Sequence, residues 1–336
     1  MNRSAFIESR SLKKLLVAGM AAIALAFCFA LANTPKAYAD AANPDYSSGT
    51  YEAQDPSTAP IATGGSWQKS GNEWWYKLDW RTKTLLGTDL DYPMDCWLSI
   101  NGKRYCFNGQ GFMRTGWQML NGSYYYFGSD GAMKTGWVKP GTHWYYLESN
   151  GKMATGEKTI AGKTYYLTGS GAMYKGWRMI DNQWYYYNGS GVKAKGWTTV
   201  KGKRYYMDTT TGAMYTGDKT IGNKKYYFRS SGESYTGWRM INNEWYYFKS
   251  NGEMATSWCK VKGHWYYLHP TTGKMYAGQE LTKVGKTYYF RASGEMYTGW
   301  RMKSNQWVYH DKSGVMQKNK WVQGKYWVNS EGIWVK

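Results

Sequence analysis

The chain has 336 residues, a formal net charge of +20 and an aromatic content of 18%, with 20 Trp and 33 Tyr but only nine Phe. This aromatic content excludes a disordered chain, because disordered segments are poor in aromatic residues, and the seven prolines exclude a collagen-like chain. Trp and Tyr rings with a polar edge suit surfaces that lie half against a ligand and half in water.

The first 39 residues have the features of an export signal. A basic segment that ends at Lys14 precedes an apolar run over residues 15–32, and Ala37-Tyr38-Ala39 forms a cleavage site. Cleavage there removes five Lys or Arg and one Glu, so we expect a mature chain that begins at Asp40 with a net charge of about +16. An uncleaved anchor is the alternative, since the run is near the lower limit for a membrane span. No later stretch is apolar enough for a span, so the mature protein is predicted to have no membrane partner.

Residues 40–66 are rich in Pro, Ser, Thr, Ala and Gly and contain neither Lys nor Arg, which predicts a flexible linker. Beyond them lie three cysteines, Cys96, Cys106 and Cys259. Three cysteines are too few for a disulfide framework. A bridge between Cys96 and Cys106 stays open, although the register given below places these two residues on opposite faces of one hairpin.

From residue 67 onward the chain consists of successive copies of one repeat of 20 or 21 residues. Gly-Trp pairs mark the repeat, and variants of the pair fill the gaps between them. The pairs end at Trp117, Trp137, Trp177, Trp197, Trp238 and Trp300. Two units precede the series: a divergent N-terminal repeat over residues 67–96, with an insertion near residues 81–90, and the unit that begins the regular array of residues 97–336. A period this strict predicts a repeat architecture of 13 units.

Each unit has the signature of a β-hairpin. If the Trp of the Gly-Trp pair is numbered position 0, two β-rich runs flank Asn, Asp or Gly at positions 4 and 5, as at Asn121-Gly122, and a second turn follows. A lone hairpin is only marginally stable in water, so stacking on its neighbours has to supply the missing burial. The sequence therefore predicts an all-β fold, a solenoid of stacked β-hairpins built from 20–21-residue aromatic repeats.

The hairpin register sorts the residues by face. A turn at positions 4 and 5 places position 0 opposite position 9 and position 2 opposite position 7. Since side chains alternate along a strand, positions 0, 2, 7 and 9 share one face and positions 1, 3, 8 and 10 share the other. The apolar residues at positions 3 and 10 and the Tyr at position 8 are predicted to form the packed inner face. The first face carries Trp at positions 0 and 7 and Tyr at position 9.

Positions 0 and 7 change together along the chain, which indicates that they serve one site. Three units lack Trp at position 0 and also lack an aromatic residue at position 7. These pairs are Glu157/Thr164, Asp218/Lys225 and Gln279/Thr287, the last with one inserted residue. Trp197 with Arg204 is the exception. We infer a site made of two Trp from one hairpin and the position-9 Tyr of the next. The alternative is that these Trp only pack hairpin on hairpin, but a packing position rarely accepts acidic residues.

The segment of residues 135–156, with Gly136-Trp137 followed by Trp144-Tyr145-Tyr146, resembles the cell-wall-binding repeat superfamily. That superfamily includes choline-binding modules of Gram-positive surface proteins and the glucan-binding tails of glucansucrases, and the resemblance covers residues 67–336. It implies a hairpin solenoid with ligands between consecutive hairpins, where two Trp and one Tyr form an aromatic cage in the choline branch. It also implies that Met at position 16, as at Met133, lines the site. The ligand-binding residues implied here are Trp117, Tyr124, Trp137, Trp144, Tyr146, Tyr166, Trp177, Trp184, Tyr206, Trp238, Trp245, Trp258, Trp265, Tyr267, Tyr289, Trp300 and Trp307.

Two ligand classes fit such rings. A quaternary ammonium gains about 0.5–1 kcal/mol from each exposed ring and about 2 kcal/mol when it is desolvated. A sugar stacks its C–H face on the same rings and needs polar partners, which the units without Trp could supply. The positive charge favours anionic wall polymers such as teichoic acid, which in some bacteria carries choline, and several weak sites on one chain give avidity. We therefore expect an exported, non-catalytic, wall-associated protein that binds choline-substituted teichoic acid or, alternatively, an adhesin that binds glucan or host glycan.

Other classes of function have little support in the sequence. His143, His264, His269 and His310 are scattered, and no hydrolase or metalloprotease motif is present, so we expect no catalytic residue, metal or cofactor. Basic charge with aromatic residues is also typical of proteins that bind single-stranded nucleic acid. Here the Lys and Arg residues are spread over turns and strand edges, and export argues against a nucleic-acid partner.

Overall fold

The computed structural model describes residues 56–336, so the predicted export signal and most of the predicted linker lie outside the described residues. Within this range the chain forms 27 strands and 13 antiparallel hairpins, with a 3₁₀ turn at Pro56–Thr58 and one short helix, α1 (Trp80–Leu86). None of its helices has the length and apolar character needed to cross a membrane. The all-β repeat predicted from the sequence is confirmed.

The strands follow one another as consecutive hairpins, and β27 adds a third strand to the last. In chain order they are β1 (Gly65–Ser70), β2 (Glu73–Leu78), β3 (Trp97–Ile100), β4 (Lys103–Cys106), β5 (Gly116–Leu120), β6 (Ser123–Phe127), β7 (Gly136–Val138), β8 (Tyr145–Leu147), β9 (Gly156–Ile160), β10 (Lys163–Leu167), β11 (Gly176–Ile180), β12 (Gln183–Tyr187), β13 (Gly196–Val200), β14 (Lys203–Met207), β15 (Gly217–Ile221), β16 (Lys224–Phe228), β17 (Gly237–Ile241), β18 (Glu244–Phe248), β19 (Ser257–Val261), β20 (His264–Leu268), β21 (Glu280–Lys283), β22 (Lys286–Tyr289), β23 (Gly299–Lys303), β24 (Gln306–His310), β25 (Lys320–Val322), β26 (Tyr326–Val328) and β27 (Trp334–Val335).

The chain divides into two compact units. One consists of residues up to 158 together with 167–173, and the other of residues 159–166 together with 174–336. Within each unit, the hairpins from β3–β4 to β23–β24 are each tied to the one before by a backbone hydrogen bond to the carbonyl of its position 7. The donor is the N–H of position 16, or of position 17 in units with one extra residue. In the first unit Met133 N donates to Arg104 O at 2.8 Å, and in the second Met275 N donates to Trp245 O at 2.9 Å. This serial stacking gives each unit the predicted solenoid character.

The observed register is the predicted one. In the β11–β12 hairpin Trp177 pairs with Tyr186 and Met179 pairs with Trp184, which are positions 0 with 9 and 2 with 7. Asp181 and Asn182 at positions 4 and 5 have φ values of 49° and 59°. Two consecutive left-handed residues are the requirement of the tight hairpin turn whose twist matches that of the strands, which explains the Asn, Asp and Gly found there.

Position 10, or the equivalent Val328 that pairs with Lys320 in the shorter last hairpin, supplies a deeply buried side chain in each hairpin from β3–β4 onward. These side chains are at most 2% exposed, and all but one are apolar or aromatic. They are Phe107, Phe127, Leu147, Leu167, Tyr187, Met207, Phe228, Phe248, Leu268, Phe290, His310 and Val328. At position 3 only some residues are buried, such as Leu120 and Val261, and others are half-buried. The predicted inner face is therefore centred on position 10.

In most units the second turn requires glycine because a methionine of the preceding unit packs against it. Gly131 has φ +69°, and a Cβ atom on it would lie 1.9 Å from the sulfur of Met113. In the second compact unit, Gly294 and Met275 repeat the arrangement, with φ +84° and a distance of 2.2 Å. The position-16 methionine thus fills the space under the following turn, where any side chain larger than hydrogen would collide with it.

The N-terminal end differs from the sequence prediction in one respect. Residues 56–66, predicted as part of a flexible linker, are packed instead: Ala62 N donates to Ser99 O and Ser99 N donates to Pro60 O, both at 2.8 Å. The predicted insertion contains α1, whose N-cap Asp79 accepts a hydrogen bond from Thr82 N at 2.9 Å. The parallel pairing with Ser99 was not readable from composition, because an extended segment can pair with a strand edge whatever its side chains are.

The three cysteines at Cys96, Cys106 and Cys259 are free thiols. Cys106 pairs with Trp97 across the β3–β4 hairpin, and Cys96 O accepts the backbone hydrogen bond of Phe107. Burial raises the pKa of Cys106 to about 12 and that of Cys96 to about 11. Both thiols are therefore protonated at neutral pH, and the bridge that the sequence left open is not formed.

His310 is the polar member of the buried position-10 series. Its Nδ1 lies 3.0 Å from Gly314 O, and its Nε2 is buried without a hydrogen-bond partner among the described residues. Burial lowers the pKa of His310, Arg301 lowers it further, and Glu280 and Asp311 oppose the shift. The fold therefore favours the neutral imidazole.

We expect His310→Phe to make the protein less sensitive to acid. An unfolded histidine has a pKa of about 6.5. Because the folded value is lower, the unfolded chain binds the extra proton first, and the free energy of unfolding falls as the pH drops below that value. Thermal melting is followed by circular dichroism at about pH 7.5 and pH 5. The melting temperature should fall less between the two pH values for the variant than for the wild type. Equal losses would contradict this role of His310.

Candidate functional site

The two aromatic residues of a hairpin at positions 0 and 7 meet edge to face. Their ring centroids are 6.3–6.5 Å apart and the ring planes are nearly perpendicular, at 86–88°. The pairs are Trp117 with Tyr124, Trp137 with Trp144, Trp177 with Trp184, and Trp258 with Trp265. The two perpendicular rings form two walls of a corner. Their proximity agrees with the inference, from the parallel loss of aromatic residues at positions 0 and 7, that these positions lie together.

The next hairpin adds a third ring to this corner. The position-8 Tyr of that hairpin lies 4.7–4.9 Å from the position-0 Trp, measured between ring centroids. The pairs are Trp117 with Tyr145, Trp177 with Tyr205, Trp197 with Tyr226, Trp238 with Tyr266, and Trp258 with Tyr288. An aromatic site therefore lies at the joint between consecutive hairpins.

The sequence assigned the third wall to the position-9 Tyr of the next hairpin, whereas in the structure the position-8 Tyr lies against the preceding Trp. Tyr146, Tyr206 and Tyr267, at position 9, lie 5.1–5.3 Å from the Trp of their own hairpins. The reason is geometric. Positions 0 and 9 share the face that meets the following hairpin, whereas positions 8 and 10 share the face that meets the preceding one. Only position 8 can therefore reach back to the preceding Trp.

The position-7 rings are accessible to a ligand. Trp144, Trp245, Trp265 and Trp307 are 40–41% exposed, and Tyr124 is 38% exposed. The position-0 Trp residues of the same hairpins are half-buried: Trp117, Trp137, Trp238, Trp258 and Trp300. Such a site has a fixed floor and an open side wall, which suits a ligand that enters from solvent.

The last of these sites has four rings. Trp300 and Trp307 of the β23–β24 hairpin, Tyr326 of β26 and Trp334 of β27 line a cavity of about 270 Å³. Trp300 lies 5.4 Å from Tyr326 and 6.4 Å from Trp334. The indole Nε1 of Trp300 donates to Gln323 Oε1 at 3.3 Å, so this donor is engaged within the protein. We call the set of Trp300, Trp307, Tyr326 and Trp334 the C-terminal cage.

Seven aromatic residues at these joints were not assigned to the site from the sequence. They are Tyr145, Tyr205, Tyr226, Tyr266, Tyr288, Tyr326 and Trp334. The position-8 tyrosines were visible in the repeat but were assigned to the packed inner face. Trp334 lies outside the repeat position that supplies the other walls, and only the turn back of β27 onto β26 brings it to the cage.

The three hairpins without Trp have an acidic residue at position 0. The sequence aligned Gln279 to this position, but Glu280 pairs with Tyr289, which makes Glu280 position 0 and Thr287 position 7 without any insertion between them. Asp218 pairs in the same way with Tyr227. The inserted residue therefore lies before the hairpin, and the acidic positions are Glu157, Asp218 and Glu280.

An arginine of the following hairpin covers the position-9 Tyr of each of these hairpins. The Cζ atoms of Arg178, Arg239 and Arg301 lie 3.6–3.8 Å from the ring centroids beneath them. The tyrosines beneath them are Tyr166, Tyr227 and Tyr289. Two residues assigned to ligand binding, Tyr166 and Tyr289, are thus occupied by a side chain of the protein itself.

At Glu280 this arrangement includes an ion pair. Arg301 Nη2 lies 2.5 Å from Glu280 Oε1, and Lys303 Nζ lies 2.8 Å from Glu280 Oε2. Burial raises the pKa of Glu280, but the hydrogen bonds and charges of Lys303 and Arg301 outweigh it, and the net pKa is lowered. We call the set of Glu280, Tyr289 and Arg301 the arginine clasp. It joins the β21–β22 hairpin to the next one with a cation that belongs to the chain.

Two of the tyrosine walls, Tyr205 and Tyr266, are neutral at physiological pH. Burial raises the pKa of Tyr205 and of Tyr266 above its usual value, and the nearby Glu295 adds to the shift at Tyr266. Within residues 56–336 no group of three or more His, Cys, Asp or Glu side chains could hold a metal ion. The joints thus offer neutral aromatic faces to a ligand.

Comparison with protein families gives the same division of the chain. One choline-binding repeat family matches residues 114–157, 174–218 and 235–279, and another matches residues 301–334. A family described as a putative cell wall binding repeat matches residues 158–173, 219–234 and 282–296. These last segments each contain the second strand of an acidic hairpin.

Solved structures show the same likeness. CbpJ from Streptococcus pneumoniae TIGR4 is 32% identical over 71% of this chain and 99% of its own, with a TM-score of 0.60. The crystal structure of CbpF in complex with ipratropium is 27% identical over 82% of this chain and 99% of its own, with a TM-score of 0.52. Comparison with curated proteins gives no significant match. The fold and the aromatic joints define a cell-wall-binding repeat protein. More narrowly, the chain belongs to the choline-binding repeat family.

We expect the arginine clasp to stabilise the stack. Glu280→Gln and Arg301→Gln, alone and together, should show a coupling free energy of about 0.5–3 kcal/mol, the range for groups in direct contact. Lys303→Gln is the control: its ammonium contacts the same carboxylate but is more exposed, and exposed pairs contribute only about 0–1 kcal/mol. Urea denaturation of the four variants measures both quantities. Additive effects of Glu280→Gln and Arg301→Gln would show that the clasp does not act as a unit.

Proposed function

We propose that the protein is an exported, non-catalytic surface protein that binds choline-substituted teichoic acid, or a similar wall polymer, through the aromatic sites between successive hairpins. The observation that carries the proposal is the C-terminal cage. Its four rings enclose a cavity of about 270 Å³, and one of its walls, Trp307, is 41% exposed.

Convergent ring faces favour a cation without hydrogen-bond donors. The face of an indole or phenol ring carries negative charge, and a quaternary ammonium gains about 0.5–2 kcal/mol from each such face. It has no N–H group, so it leaves no donor unsatisfied when it enters an apolar cage. The indole N–H of Trp300 is already bonded to Gln323. The cage thus offers much ring surface and few polar partners.

A neutral glucan fits these sites less well. Sugar hydroxyls need polar partners, and the sequence suggested that the hairpins without Trp provide them. In the structure those side chains bond to each other: Thr282 Oγ1 and Thr287 Oγ1 are 3.1 Å apart, and Glu280 is held by Arg301. Thr159 and Thr164 form a similar pair at 3.2 Å. The polar groups expected to serve a sugar are therefore engaged within the hairpins, which favours choline.

The charge of the chain supports an anionic polymer as the carrier of the choline. After loss of the export signal the net charge is about +16, and teichoic acid is a polyanion. Long-range attraction raises the rate of encounter and weakens as salt is added. Single cages are weak, but several cages on one chain can engage several choline groups of one polymer, which raises the overall affinity.

The relatives support the same function. The matched repeats are described as choline-binding and cell wall binding, and CbpF is named choline binding protein F. The predicted signal peptide agrees with a location at the outer face of a Gram-positive wall. A binding role without catalysis fits joints that hold aromatic rings rather than acids and bases.

We expect Trp307→Ala to remove about one choline site per chain, because it takes away an exposed wall of the C-terminal cage. The measurement is the stoichiometry of choline binding by the mature chain, from equilibrium dialysis, with intrinsic Trp fluorescence as a second signal. Trp80→Ala is the matched control: Trp80 is 71% exposed on α1 and contacts no cage residue. It should leave the stoichiometry unchanged.

The same protein distinguishes the two ligand classes. We expect the mature chain to be retained on choline-substituted wall teichoic acid. Free choline should release it, and dextran should not. If dextran releases the chain and choline does not, the sites bind sugar, as in the alternative function.

A further inference from the structure

One joint in the second compact unit has an aromatic floor but is covered by the protein's own cation. Trp197 lies at position 0 of the β13–β14 hairpin, and position 7 of that hairpin is Arg204 rather than an aromatic residue. The Cζ atom of Arg204 lies 3.7 Å from the ring centroid of Trp197. We infer that Arg204 determines ligand occupancy at this joint: its guanidinium takes the place of the ligand cation and closes the joint to choline. This inference rests on the proposed function.

The rest of the site at this joint is intact. Tyr226 of the next hairpin lies 4.9 Å from Trp197, compared with 4.8 Å for Tyr205 at Trp177 and 4.8 Å for Tyr288 at Trp258. Two of the three walls are therefore placed as they are in the open joints. The difference between this joint and its neighbours lies in the residue at position 7.

At the open joints the position-7 ring forms a wall and leaves the Trp face free. Trp184 stands perpendicular to Trp177 at 6.5 Å, and Trp265 stands perpendicular to Trp258 at 6.3 Å. Arg204 does the opposite, because it removes the wall and lies directly over the ring. Lys260 Nζ is 5.8 Å from the ring of Trp265, which is close to the outer limit of a cation–π contact and does not cover the floor ring Trp258.

Arg204 is held in this position from both ends. Its backbone carbonyl accepts a hydrogen bond from Ser234 N at 2.7 Å, and its Nη1 donates to Asn251 O at 2.5 Å. A tethered group competes with dissolved ligand at the high effective concentration that the short tether sets. A choline group would have to displace the guanidinium from Trp197 and break its hydrogen bond to Asn251. The joint therefore stays closed while its neighbours bind.

The test compares the number of choline sites in four variants of the mature chain by equilibrium dialysis. We expect Trp197→Phe to leave the number unchanged and Trp258→Ala to lower it by about one. Arg204→Trp restores the third wall and removes the internal cation, so it should raise the number by about one. Arg229→Trp is the matched control, since Arg229 is exposed and lies over Tyr235 rather than over a position-0 Trp. It should add no site.

Each outcome decides between the possibilities. A lower site number in Trp197→Phe shows that the joint binds choline in the wild type and overturns the inference. The inference is also overturned if Arg204→Trp melts like the wild type but has no more choline sites than the wild type. In that case the choline bound by the wild type still supports the proposed function. A wild-type chain that binds no choline overturns both. If Arg204→Trp does not fold, Arg204→Phe takes its place in the test, because it also removes the internal cation and restores a smaller aromatic wall at position 7.

Discussion

The structure depends on the contact between the position-0 Trp of one hairpin and the position-8 Tyr of the next. A two-stranded hairpin of this length has too little surface to bury by itself, so its stability comes from its neighbours. The 4.7–4.9 Å ring contacts recur within both compact units and lie beside the buried position-10 side chains. Because the same Trp ring also forms the floor of the proposed ligand site, packing and the proposed binding share one residue in each open joint.

Three kinds of joint follow from what lies against these rings. Open joints such as that of Trp258 have an aromatic wall at position 7. The joint of Trp197 is covered by Arg204. Acidic hairpins exchange the Trp for a carboxylate and are held by an arginine of the next hairpin, as Arg301 holds Glu280. All three kinds of joint present aromatic ring faces that attract a positive charge. They differ in the source of the cation, which is the proposed ligand in open joints and an arginine of the chain in the other two.

Under the proposed function, this arrangement couples ligand binding to the stability of the stack. A ligand in an open joint would contact rings from two hairpins, so it would bind the stacked state and not the separated hairpins. Binding of that kind stabilises the folded state in proportion to the ligand concentration. A joint with an internal cation has no such dependence. An array that has both ligand-binding joints and joints with an internal cation would keep part of its stacking stability without a bound polymer. Polymer binding would add the remainder.

The sequence alone determined the repeat, the 13 hairpins, the register and the buried position 10, because these depend on local turn chemistry and on alternation along a strand, which one unit already contains. It also identified positions 0 and 7 as one site, because they lie on the same face of one hairpin. Only the tertiary structure decided which tyrosine of the next hairpin completes the site, that Glu280 rather than Gln279 is position 0, and that Trp334 and Arg204 lie at the rings. These facts depend on how one hairpin meets the next, and a periodic sequence does not specify which of two alternating faces makes that contact.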